Sequence, residues 1–330
     1  MSRIVAIVGP TATGKSALAM ELAMELNGET INADALQVYR GFDIGTAKPA
    51  LEDRRRIPHH LVDILDGDEV YSAGAFALRA ERCLEDLEAR SRLALVVGGS
   101  GLYQRALFRG LVSIPPIPED VRRTLRDRCA NGGLRSLRAE LRKLDPETAR
   151  RLAPSDAQRI VRALEIVVAT GRTQSSWIAG ESQAEDRFPV LRIGLTLSRG
   201  LLYDRIEARV DHMFERGWVD EVSALLETGL EPSAPAFRAI GYMQLAAHLG
   251  GETSLEEARE STIRETRRYA KRQLTWFRRS EPVQWLDAEA VEGDRGGTVA
   301  HLRRELEESG DQKTSSDSPR DPFVCWEGHA

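Results

Sequence analysis

Gly9-Pro10-Thr11-Ala12-Thr13-Gly14-Lys15-Ser16 restricts what this chain can fold into more than any other passage. It matches GxxxxGK[ST] and sits between a short β-branched run, Ile4 to Val8, and a stretch whose leucines recur at Leu18, Leu22 and Leu26. That context predicts a buried strand, a glycine-rich turn and a helix opened by the turn. Its glycines let the backbone wrap a phosphate chain, while successive N–H groups and the helix N-terminus supply positive potential. Lys15 adds a mobile cation, and the Ser16 hydroxyl is suited to ligating Mg2+. The passage therefore implies a bound di- or triphosphate, without saying which.

The coarse pattern extends this into an α/β fold: a P-loop NTPase-like parallel sheet core flanked by helices, with an α-helical insertion domain. Further strands are expected at Thr30 to Ala33, Leu93 to Val97, Leu191 to Leu197 and Val283 to Leu286, with Gly28 as the C-cap of the first helix. Strands separated by helical patterns imply β-α-β units with functional residues at the carboxyl ends of the strands. Between Ile114 and Pro189 the chain is arginine-rich and amphipathic with no convincing strand. The expected division is core 1–113, helical insertion 114–189, core again 190–290, and an acidic, disordered tail 291–330. Leu201 to Leu226 and Leu255 to Arg279 read as long helices.

Charge is distributed unevenly along the 330 residues. The net charge is −5, yet Arg122 to Arg162 holds 12 basic against 5 acidic residues, and Arg264 to Arg279 seven against one. Phosphate neutralisation depends on local cation density, so these two segments suit a polyanion despite the acidic whole. As helices they are equally compatible with solvated basic faces. On the second, Arg264, Arg268, Lys271 and Arg272 fall at i, i+4, i+7 and i+8, whereas Tyr269 and Trp276 read as core more than as a stacking platform. No apolar run approaches the ~20 residues that span a membrane, and the run at Ile4 to Val8 is too short for a signal peptide, so no membrane partner is expected and the default location is cytoplasmic. Cys83, Cys129 and Cys325 lie far apart with no metal-ligand spacing.

Nucleotide-hydrolysing enzymes with such a loop carry a magnesium-binding acid at the end of an apolar strand. Here Leu93 to Val97 runs into Gly98-Gly99-Ser100-Gly101. The nearest strand-end acid is Asp34, in Ile31-Asn-Ala-Asp34. A proton-abstracting or metal-positioning role fits it, and so does capping a following helix.

Taken in order, GPTATGKS, Ile31 to Pro49 (INADALQVYRGFDIGTAKP), Val96 to Tyr103 (VVGGSGLY), Asp156 to Glu165 (DAQRIVRALE), Ala239 to Tyr242 (AIGY) and Thr266 to Arg279 closely resemble the tRNA dimethylallyltransferase, or IPP transferase, family over about Arg3 to Leu286. The resemblance implies transfer of a dimethylallyl group from dimethylallyl pyrophosphate to the exocyclic amine of the adenosine 3′ of a tRNA anticodon, with Mg2+ and release of pyrophosphate. By the same resemblance Asp34 is the base. Lys15, Thr11, the loop amides, Ser100 and Arg238 stabilise the leaving group. Gly9 through Ser16 bind the pyrophosphate.

The positions matching tRNA-contacting regions are Asp34, Ala35, Leu36, Gln37 and Ser100, then Arg122 with Gln158, Arg159, Ile160, Val161 and Arg162, then Lys271, Arg272, Gln273 and Arg278. The chain departs from the family at Ala35, where a serine is usual, at Ser100 in place of threonine, and at Met243 in place of a cation. A monomer is the default assembly. The alternatives are an adenylate isopentenyltransferase acting on free nucleotide, which has no use for the basic segments, and a P-loop kinase, which lacks its strand-end acid here. A catalytically silent RNA-binding module would leave Lys15 and Asp34 without a purpose.

Overall fold

The computed structural model describes residues 4–179, 185–280 and 282–311. Six parallel strands form one sheet: β1 (Ile4–Val8), β2 (Gly28–Asn32), β3 (His59–His60), β4 (Leu93–Val97), β5 (Leu191–Thr196) and β6 (Gln284–Asp287), in the order β3-β2-β4-β1-β5-β6. Val5 to Val8 of β1 are essentially inaccessible, as an interior parallel strand covered on both faces requires. Because β2, β4 and β1 are neighbours, the loops leaving their carboxyl ends lie side by side: the phosphate loop, the segment at Asp34, and Gly98-Gly99. This is the crevice where doubly wound sheets hold ligands.

The Lys15–Glu25 helix packs Leu18, Ala19, Leu22 and Ala23 onto the sheet. It ends at Leu26. Asn27, with φ 54°, supplies the left-handed residue, and Gly28 already belongs to β2, so Gly28 is not the cap expected from the sequence. The helix expected at Leu201 to Leu226 is two helices, Arg199–Glu215 and Trp218–Glu227, broken at Gly217 with φ 87°.

The segment from 291 onward is not disordered throughout. Helices Ala288–Gly293 and Arg295–Asp311 bury Val291, Val299, Leu302 and Leu306 in the cluster that contains Leu18 and Leu22, and ion pairs Arg295–Glu21 and Arg303–Glu25 link them to the first helix. Apolar burial along one face outweighs the glycine-rich, polar composition. Residues 312–330 of the expected tail lie outside the described residues.

Two compact units divide the chain: residues 1–109 with 186–330, and residues 110–185. The second unit has no strand among its described residues. Its helices Glu119–Arg128, Leu134–Leu144, Pro146–Arg151 and Ala157–Thr170 close on Leu125, Leu137, Leu141, Ile160 and Leu164.

Candidate active site

The phosphate loop takes its shape from the glycines after β1. Gly9 has φ 131°, and a Cβ there would stand 2.4 Å from the Leu195 carbonyl of β5, so only glycine lets the loop turn over its neighbour strand. Gly14, with φ 80°, turns the chain into the helix, and Ala12 is also left-handed at φ 64°. The buried Thr13 hydroxyl donates to the Pro10 carbonyl at 2.9 Å, and Lys15 Nζ folds back onto the same oxygen at 2.6 Å. The Thr11 amide donates to Gln273 Oε1 at 2.9 Å.

Asp34 follows β2 and leads into a bend, with no helix after it. Its carboxylate accepts the Leu36 amide at 2.9 Å, an Asx turn and not a helix cap. The buried Asn32 accepts the Asp34 amide at 3.1 Å and donates to the Leu61 carbonyl at 3.1 Å, fixing where Asp34 leaves the sheet. Gln37 donates its side-chain amide to the carbonyls of Thr46 and Ala47 at 3.0 and 3.1 Å, closing the segment on itself. Lys48 is buried at the far end, where it donates to the Tyr39 carbonyl at 2.7 Å and pairs with Asp43 and Asp63. From the outside, Glu221 accepts the amides of Asp43 and Ile44 at 3.1 and 2.7 Å and the Tyr242 hydroxyl at 2.6 Å.

The third loop carries Gly98, Gly99 and Ser100. Gln273, which the resemblance places among RNA contacts, is buried here: it donates to the Gly99 carbonyl at 3.0 Å while accepting from Thr11, so one side chain of the Leu255–Ser280 helix clasps two of the three loops. A Cβ at Gly99 would meet its Nε2 at 1.8 Å. Ser100 begins the turn into the Gly101–Arg109 helix, with its carbonyl accepting the Gln104 amide at 3.1 Å.

These loops surround a cavity of about 720 Å³. Thr11, Lys15, Ser16, Asp34, Ala35, Leu36, Gln37 and Arg238 all line it, together with Tyr269 and Arg272 of the long helix. The structure adds a residue that sequence reasoning missed. Arg209, from the Arg199–Glu215 helix, lines the same cavity, and among the described residues no hydrogen bond or ion pair engages its guanidinium. Burial pulls its pKa down, and the charge of Asp34 opposes that. Lys15 is pushed down to about 7, first by burial and then by repulsion from Arg209, with Asp34 acting in the opposite direction. Two cations held against their own preference beside one carboxylate make a receptor for a strongly charged anion. Tyr269 is half-buried, and desolvation and the charge of Asp34 raise its phenol pKa.

The remaining predicted contacts separate by exposure. Lys271, Arg272 and Arg278 are exposed, as are Gln158 and Arg159. Arg122 is half-buried and pairs with Glu119, and Arg162 pairs with Glu165 at 3.1 Å. Ile160 and Val161 are core residues of the helical unit, which leaves their side chains no part in an RNA surface. Arg264, Arg268 and Lys271 line a shallow groove with Arg199, while Arg272 turns to the cavity. Trp276 packs against the Phe76 and Phe108 cluster.

The family model described as IPP transferase matches residues 37–280, and a second, described as isopentenyl transferase, matches residues 2–64. The chain belongs to the IPP transferase family. Among relatives of the family, the tRNA dimethylallyltransferase of Geobacter metallireducens is 48% identical over 286 residues, 87% of this chain and 93% of that protein. That of Thermomicrobium roseum is 45% identical over 93% of this chain and 91% of that protein. The crystal structure of the full-length tRNA isopentenylpyrophosphate transferase of Bacillus halodurans superposes with a TM-score of 0.70 at 38% identity, covering 95% of this chain and all of that one. A eukaryotic dimethylallyltransferase acting on tRNA gives 0.78 at 29% identity, covering 97% and 81%.

Proposed function

We propose that this chain transfers a dimethylallyl group from dimethylallyl pyrophosphate to the exocyclic amine of the adenosine next to the anticodon on its 3′ side, releasing pyrophosphate. The observation that carries the reading is one cavity in which Lys15 and Arg209 lie within electrostatic reach of Asp34. The diphosphate occupies the loop amides, Lys15 and Arg209. As the allylic C–O bond breaks, the electron pair stays on the diphosphate oxygen, and these donors stabilise the growing charge. The adenine nitrogen forms the new C–N bond and its proton passes to the Asp34 carboxylate. A base in that position contributes on the order of 10²- to 10⁴-fold.

Among the described residues no three acidic, histidine or cysteine side chains converge as a metal cluster. The Ser16 hydroxyl beside Lys15 fits Mg2+ held largely by the diphosphate's own oxygens. Bound there, the ion would offset leaving-group charge.

Reaching the cavity obliges the target base to leave the anticodon-loop stack, at a cost of a few kcal/mol. The residues assigned to RNA contact are Ala35, Leu36 and Gln37 at the cavity wall with the exposed cations of the long helix and, separately, Arg122, Gln158, Arg159 and Arg162 of the helical unit. No helix among the described residues is long and apolar enough to cross a membrane, and the proposed setting is the cytoplasm, as a monomer. The test supplies magnesium and labelled dimethylallyl pyrophosphate with either unmodified tRNA or free AMP. Label entering tRNA only, and lost in Asp34→Ala, is expected. Label entering AMP, or ATP hydrolysis without allyl transfer, overturns the reading.

A further inference from the structure

The cavity has an apolar end, and its position relative to the cations is fixed by one helix. Along Arg199–Glu215 the side facing the cavity carries Ile206, Arg209, Val210 and Met213, so the single cation of this stripe is followed one turn later, after a rise of ~6 Å, by Met213. Beyond Met213 the chain breaks at Gly217 and returns with Trp218, which lines the same cavity and is 1% exposed. The indole cannot retreat. A Cβ on Gly45 would stand 2.2 Å from the ring on one side, and a Cβ on Gly241 2.0 Å from it on another. Phe214 and Tyr242 meet it edge-on, with centroids 5.7 and 5.6 Å away.

The ring is also unusual in its polarity. Its indole N–H is buried and has no hydrogen-bond partner among the described residues. A buried donor without a partner is a cost that phenylalanine or leucine would avoid. What tryptophan supplies here is volume.

Resting on the function proposed above, we infer that Met213 and Trp218 form the end wall of the prenyl pocket and limit the transferred group to a single five-carbon unit. With the diphosphate held at Lys15 and Arg209, the hydrocarbon extends along the stripe over Val210 toward Met213. One isoprene unit fits within that turn. A second would have to displace a ring that Gly45, Gly241, Phe214 and Tyr242 hold against the cavity. The two glycines against the indole, in DIGT and AIGY, hold the wall in place.

The experiment compares dimethylallyl and geranyl diphosphate as donors to tRNA, reading the five- or ten-carbon nucleoside by mass spectrometry, for the unchanged protein, Met213→Ala and Trp218→Phe. The unchanged protein is expected to use the geranyl donor at least about 100-fold less well in kcat/KM. Met213→Ala should raise geranyl transfer in absolute terms by about tenfold or more while dimethylallyl transfer falls, and Trp218→Phe should move it the same way by less. A merely destabilised enzyme loses both activities and gains neither. Binding of both diphosphates by calorimetry gives the same discrimination without turnover. A protein that binds the short donor, rejects the long one, and transfers neither to tRNA would sink the proposed function and keep the wall. Equal use or equal binding of the two donors by the unchanged protein, or geranyl transfer unmoved in both folded variants, overturns the inference.

Discussion

Two loops of the cavity are built by opposite strategies. The phosphate loop holds itself: Gly9 and Gly14 set its turns, and Thr13 and Lys15 both donate to Pro10, all within a few residues. Gln273 gives it a long-range hydrogen bond. The segment from Asp34 to Lys48 closes on itself through Gln37 and Lys48, and its place is set from elsewhere in the chain, by Asp63 and by Glu221, 178 residues from Asp43, which in turn accepts from Tyr242. A loop that receives a chemically constant group such as a diphosphate can be prefabricated from local backbone geometry. The loop that must admit a nucleobase and place a proton acceptor beside it has its shape imposed by the finished tertiary structure.

The largest effect should separate the two loops by chemistry. Asp34→Ala is expected to lower single-turnover transfer to tRNA by on the order of 10²- to 10⁴-fold, with diphosphate affinity retained. Loss of both together would place Asp34 on the phosphate side and erase the distinction. Next comes Arg209→Ala. Removing one charge-assisted partner, worth about 1.5–3 kcal/mol, should weaken pyrophosphate binding by roughly ten- to a hundredfold. Calorimetry with pyrophosphate alone reads that directly, and unchanged affinity would exclude Arg209 from the anion site.

A smaller effect tests how the second loop is held. Glu221→Gln replaces a carboxylate that accepts backbone amides on one side and the Tyr242 hydroxyl on the other with a group having one acceptor and an N–H₂ turned toward donors. The expected loss is about 1–3 kcal/mol of stability, seen as a lower Tm, with a raised KM for tRNA and unchanged pyrophosphate affinity. Weakened pyrophosphate binding would show that the two loops are one mechanical unit.

The same contrast explains what the sequence disclosed. GPTATGKS and the strand before it were readable because their determinants are contiguous, and β1, β4 and β5 appear close to their expected bounds. Asp34 was readable as a strand-end acid. The support of its segment was not, because Glu221 meets the amides of Asp43 and Ile44 only after folding. Arg209 left a signal that went unused: in LLYDRIEARVDHMF it lies on the apolar stripe of Leu202, Ile206, Val210 and Met213, and a charged side chain is seldom buried without a partner. The converse holds for Ile160 and Val161, whose apolar character marks them as core inside a basic segment, and for Gln273, whose burial reflects a clasp between loops. In the last helices, Val299, Leu302 and Leu306 keep helical spacing, masked by the glycines before them.

The smallest predicted effect is a proton. Burial and Arg209 push Lys15 from its ordinary value down to about 7, so between about pH 7 and 10.5 the folded chain without ligand binds fewer protons at this site than the unfolded chain does. Stability contributed by Lys15 therefore rises with pH across that window. Binding a diphosphate reverses the balance, because the anion favours the ammonium form and draws the proton back. Pyrophosphate affinity should fall as pH rises above about 7, and binding near pH 8.5 should take up close to one proton more in the unchanged protein than in Lys15→Met, a difference that cancels the titration of pyrophosphate itself. Calorimetry in two buffers of different ionisation enthalpy measures it. Equal proton uptake in Lys15→Met would mean that the phosphate loop does not carry its cation in the suppressed state on which its role as an anion receptor depends.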